Sequence, residues 1–226
     1  MATDVRAIRR PGRLVAWLGL VLVLTTLGYA SRFSGSKPPE DLAYRWSASV
    51  GAIVQYGLML AILLLIARGL PLRDTFALRR PASWPRALGR IAAGLLAIWL
   101  AGAALEPFLN ANSEQGLVPD KWDPSRAAPF VAFFVTVAIV APIIEELAYR
   151  GLGFSLLLPY GPWLAVGTTG VLFGLSHGLL IALPILAFFG LVAGWLRMTT
   201  DSVYPSMILH GIFNGVALIV SVAFLD

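Results

Sequence analysis

Seven stretches of the 226-residue chain are apolar over about the 20 residues that a bilayer core demands of a helix. They lie near residues 14–31, 48–67, 88–105, 128–158, 162–178, 181–197 and 203–225. The fourth is too long for one upright span, so it is tilted, broken or partly interfacial, with an eighth segment as the alternative. Pro142 lies inside it and is expected to kink it by removing a backbone hydrogen bond. No fixed-period repeat is visible. The pattern predicts an all-α, polytopic transmembrane helical bundle: a three-span region over residues 1–126 and a four-helix core over 127–226, together one membrane-embedded domain.

Composition strengthens this reading. A 58% hydrophobic fraction with 13% charged residues and a mean hydropathy of +0.79 is foreign to a soluble domain. The net charge of +5 raises nucleic acid as a partner, but the arginines sit in short loops beside the spans rather than on a face interleaved with aromatics. No cysteine is present, so a thiolate nucleophile, a cysteine metal site and a disulfide framework are all excluded. Arg6, Arg9, Arg10 and Arg13 at the N-terminus, with Arg68, Arg73, Arg79, Arg80, Arg86 and Arg90 in the second loop, place both segments on one side. That side is expected to be cytoplasmic. The third loop carries Glu106, Glu114, Asp120 and Asp123 and falls opposite. The basic start and apolar run of residues 1–30 also suit a signal peptide, but the run is long and Tyr29 spoils the cleavage pattern, so a retained first span is expected. The stretch PLRDTFALRRPASWPRALGR reads as a basic anchor for anionic lipid, with a short interfacial helix as the alternative.

Three constellations place polar groups inside apolar runs, where they are expensive and mark function. In EELAYR, Glu146 and Arg150 stand at i and i+4 and can neutralise each other, whereas Glu145 points about 100° away with no local counter-charge. Such a desolvated carboxylate suits general-base work. FGLSHG sets Phe173 and His177 one turn apart, and HGIFNG sets His210 and Asn214 on one face of the last helix. These are the chain's two histidines, and each needs a polar partner in lipid. If the fourth helix continues to a turn at Pro159–Pro162, Glu145 and His177 meet at similar depth across an antiparallel pair. His210 then starts ~10 Å too shallow at 1.5 Å per residue, unless the hairpin protrudes. Gly170, Gly174, Gly178, Gly190, Gly194, Gly211 and Gly215 recur at the spacing that lets membrane helices approach closely.

EELAYR, FGLSH and HGIFN resemble, in order and approximate spacing, the E-E-x-x-x-R, F-x-x-x-H and H-x-x-x-N signatures of the CAAX protease and bacteriocin-processing family of intramembrane proteases. The likeness covers roughly residues 128–220; Tyr149 stands where phenylalanine often precedes the arginine. It implies hydrolysis of a membrane-anchored or lipid-modified peptide in a cavity open to the cytoplasmic side, in a multi-pass protein of the plasma (inner) membrane. By motif position, Glu145 would activate water with His177 assisting, His210 and Asn214 would stabilise the oxyanion, and Glu146 and Arg150 would support them. Zinc held by Glu145, His177 and His210 is the rival within that reading. The metal-free form is preferred because the chain has no H-E-x-x-H pair and its sequence makes no carboxylate evident that would orient the histidines from behind. A proton-coupled transporter or scaffold is the alternative from another class, since intramembrane Glu, Arg and His also relay protons.

Overall fold

In hydrocarbon a backbone must satisfy its own hydrogen bonds, and each of the seven apolar runs does so as a helix. The computed structural model describes residues 9–35, 41–109 and 122–223, with Pro39 and Pro119. Its long helices are α1 (Pro11–Phe33), α2 (Trp46–Ile66), α3 (Trp84–Leu109), α4 (Pro124–Tyr160), α5 (Pro162–Ser176), α6 (Leu183–Thr200) and α7 (Tyr204–Ala223). All but α5 are long and apolar enough to cross a membrane; α5 is shorter, at 15 residues. Arg6, Glu114 and Asp120, used above for orientation, lie outside the described residues.

The long fourth run is one continuous helix rather than two spans. It accommodates Pro142 by winding wider: Thr136–Val140 and Leu147–Gly153 are π-helical, flanking the regular turns of Ala141–Glu146. Ala141 N–H donates to Thr136 O, five residues back. The next amide in that series would reach Val137 O, but it belongs to Pro142, which has none. α4 stops at Tyr160 because Gly161 takes φ +130°, a region open to glycine, and Pro162 starts α5.

α5 and α6 pack backbone to backbone. A Cβ on Gly190 would come within 2.3 Å of Gly170 O, and one on Gly174 within 2.8 Å of Ala187 N. Gly190→Ala must therefore push two backbones apart. A loss of about 1–3 kcal/mol is expected, read as a lowered unfolding temperature in detergent.

The depth mismatch anticipated for His210 does not arise. Ser206, two residues after the start of α7, donates to Ala193 O at 2.9 Å, and Ala193 lies seven residues before the end of α6. α7 thus begins about five residues, or ~8 Å, below the end of α6. The returning segment 201–203 is pinned by the loop between α2 and α3. Val203 N–H donates to Ala77 O at 3.1 Å, and Arg79 donates to Asp201 O at 2.7 Å and to Asp201 Oδ1 at 3.0 Å.

Part of that loop therefore turns inward instead of serving only as a basic anchor. Phe76 and Ala77 are buried, and Gly151 of α4 leaves room for Phe76, whose ring would lie 2.9 Å from an added Cβ. Arg90 donates to Thr199 O, so Arg79 and Arg90 both serve carbonyls at the end of α6, where cations are favoured. The alternative of a short helix survives as the single turn Leu72–Thr75. Arg13 of α1 likewise reaches the last carbonyl of α2, Ile66 O, and Arg68 O just beyond it. At the opposite end, Arg126 bridges Asp41 and Asp123 and lies 4.8 Å over the Tyr44 ring. The hydrogen bond from Arg45, with Arg126 beside it, holds the Asp41 carboxyl below the usual carboxylate range.

Candidate active site

The regular turns of α4 between its two π-wound segments carry Glu145 and Glu146, and the two carboxylates face different surroundings, as their 100° offset requires. Glu146 and Arg150 are both fully buried, with Arg150 Nη1 donating to Glu146 Oε1 at 3.0 Å. Arg150 Nη2 donates to Gly190 O at 2.7 Å, and its guanidinium lies 4.7 Å over the Phe173 ring. The i, i+4 pair read from the sequence is thus formed and is tied to α6 as well.

Glu145 keeps 16% of its side chain exposed. Its Oε1 accepts a hydrogen bond from Tyr56 Oη of α2 at 2.7 Å, and its Oε2 lies 3.8 Å from His210 Nε2. His210 is buried; its Nδ1 stands 3.0 Å from Glu146 Oε1. A carboxylate oxygen only accepts, so this nitrogen carries the proton and Nε2 faces Glu145. His210 accordingly spans the two adjacent carboxylates. Its ring is held edge-on by Phe173 at 5.6 Å and Phe189 at 4.9 Å.

His177 stands one ring away. It closes α5, its Nδ1 lies 2.7 Å from Phe173 O, and its ring is 4.5 Å from the Phe173 ring. A carbonyl only accepts, so Nδ1 donates there and Nε2 is left with its lone pair in the neutral ring. Tyr149 Oη donates to Ser176 Oγ at 2.6 Å, which sets α4 and α5 antiparallel with Glu145 one turn from the level of His177. Phe173 is the hub of the cluster, touching Arg150, His177 and His210.

Asn214 Nδ2 donates to Val137 O at 3.0 Å, the carbonyl that Pro142 cannot serve. The second π segment collects donors in the same manner. Trp17 Nε1 of α1 reaches Ala148 O at 2.9 Å, and Arg197 Nε of α6 reaches Arg150 O at 3.1 Å. Carbonyls released by the wide winding are thus the points at which α1, α6 and α7 grip α4.

The structure therefore bonds Glu146, Arg150 and His210 into one cluster, with Glu145 3.8 Å from His210, His177 adjoining through Phe173 and Asn214 fixed one turn beyond His210. Among the described residues no group of three His, Asp or Glu side chains is arranged to hold a metal ion, whereas Glu146 does orient His210 from behind, which the sequence alone did not reveal. Tyr56 was missed from sequence. The signal was present, because Gln55-Tyr56 is the polar interruption of an otherwise apolar span.

Residues 127–216 match the family model for the type II CAAX prenyl endopeptidases, described as Rce1-like. No curated protein and no solved structure matches the chain. The matched segment begins within α4 and ends within α7, and so contains all three polar constellations. Its C-terminal helices thus carry a segment similar to the Rce1-like CAAX-type intramembrane proteases, and the chain is a multi-pass integral membrane protein.

Proposed function

We propose that this protein hydrolyses a peptide bond of a membrane-anchored or lipid-modified substrate, with Glu145 as the base that activates water. The observation that carries the reading is the division of labour between neighbours. Glu146 is sealed in by Arg150 and His210, whereas Glu145 is partly open, oriented by one phenol and near one imidazole. A water hydrogen-bonded to Glu145 Oε2 gives its proton to that oxygen as it attacks the carbonyl carbon, and the proton passes on to the amine as the C–N bond breaks, with His177 Nε2 as a further acceptor. With Nδ1–H committed to Glu146, His210 as the imidazolium, its second proton taken from solvent before the water attacks, donates Nε2–H to the developing oxyanion. Asn214 retains a second amide hydrogen for the same purpose. Glu146 and Arg150 hold His210 in place. The N-terminus and the α2–α3 loop face the cytoplasm in this scheme.

The test is purified protein reconstituted in liposomes with a membrane-anchored reporter peptide, cleavage being followed by mass spectrometry. Proton-coupled flux without cleavage would instead assign a transporter. In the same assay Tyr56→Phe should lower kcat about tenfold with KM unchanged, because a hydrogen bond to a charged group is lost without touching a substrate-binding surface. Unchanged kcat would remove Tyr56 from the machinery.

A further inference from the structure

A cavity of about 570 Å³ lies away from the glutamate cluster, where the inward-folded loop meets the first residues of α3 and α7. It is lined by Arg73, Leu78, Arg79, Arg80, Trp84 and Tyr204. Three arginines line it, and their charges are unequally used. Arg79 pairs with Asp74 at 2.9 Å and Asp201 at 3.0 Å, and Arg197 pairs with the same Asp201 at 3.1 Å. Two carboxylates thus compensate two arginines. The side chains of Arg73 and Arg80 are exposed and form no ion pair or hydrogen bond with a described residue.

Two further features favour an anion over a cation or an apolar guest. Trp84 and Tyr204 are the first residues of helices of 26 and 20 residues, so both amino termini, each carrying a partial positive charge, adjoin the cavity. The same aromatic pair suits the depth of lipid headgroups. One turn below Trp84, Leu88 is 53% exposed on α3, and Leu72 beside Arg73 is 44% exposed, so apolar surface continues from the rim. A small soluble anion has no use for that apolar flank, whereas a phospholipid places its phosphate among the arginines and its chains along it.

We propose that this cavity is a binding site for the phosphate of an anionic phospholipid headgroup in the leaflet on the arginine-rich face. The phosphate takes charge-assisted hydrogen bonds from Arg73 and Arg80 and bridges the loop to the start of α7. The proposal is independent of the peptidase reading, and its test is a binding measurement.

Full-length protein is purified in detergent and titrated with phosphatidylglycerol or phosphatidylcholine, bound lipid being counted by native mass spectrometry. Wild type should retain phosphatidylglycerol in preference to phosphatidylcholine. The double variant Arg73→Gln/Arg80→Gln should bind phosphatidylglycerol roughly a hundredfold more weakly, the loss of two charge-assisted bonds. It should unfold at the wild-type temperature, since neither side chain has a protein partner to lose. Arg86→Gln, on α3 outside the cavity lining, should cost about fivefold or less, as a diffuse surface charge does. A loss for Arg86→Gln as large as for the pair, or no preference for phosphatidylglycerol, would overturn the site. Displacement of the lipid by inorganic phosphate alone would overturn the lipid as its source.

Discussion

Glu145→Gln is expected to leave the protein folded and inserted while cutting peptide cleavage by about a thousandfold or more, the usual share of a general base. The substitution is nearly isosteric, and the amide oxygen still accepts the Tyr56 hydrogen bond that now measures 2.7 Å. Packing therefore changes little, and the unfolding temperature in detergent should match wild type. What disappears is the ability to take a proton from water. Glu146 cannot substitute, because it is fully buried and already accepts from Arg150 and His210. Cleavage of the reporter at the wild-type rate by a folded Glu145→Gln protein would sink the assignment.

Arg150→Leu is expected to have the largest effect on stability. Arg150 and Glu146 are both fully buried, so removing the cation leaves the buried Glu146 carboxylate without its counter-charge. Breaking one side of such a pair costs about 3–5 kcal/mol, which corresponds to roughly 10 °C in unfolding temperature for a chain of this size. Arg150 also donates to Gly190 O and stacks on Phe173, so α6 and the aromatic hub loosen together. The double variant Glu146→Leu/Arg150→Leu should recover much of that loss, since it leaves no uncompensated charge, while His210 loses its acceptor and activity stays low. An Arg150→Leu protein as stable as wild type would mean that the pair is not a structural support.

The parts of this site legible in the sequence are those fixed by helical geometry. Glu146 and Arg150 are one turn apart on one helix, and their pairing needs no tertiary information. The glycines of α5 and α6 announced a close approach by spacing alone, and Gly170 and Gly190 do meet. Seven apolar runs became seven helices, with ends shifted by a few residues at most.

Relations between helices were less legible. Rise per residue gives the depth of His210 only if the level at which α7 starts is known. That level is set by the 201–203 return and the wedge of Phe76 and Ala77, which hydropathy reads as an ordinary basic loop. The partner of Glu145 lies 89 residues away on α2, where Gln55-Tyr56 marks a polar point in the span but not what it faces. Pro142 signalled a disturbance in α4, but a pattern of apolar positions does not distinguish a kink from π winding. The grip of Asn214 on Val137 O follows from the winding and not from the motif.

The central claim is that Glu145 activates water without a bound metal ion. It is tested most directly by measuring metal content and cleavage rate on one preparation of purified, active protein, before and after chelation. The account predicts far less than one metal ion per chain and an unchanged rate after chelation. One zinc per active chain, whose removal abolishes cleavage and whose return restores it, would contradict the claim.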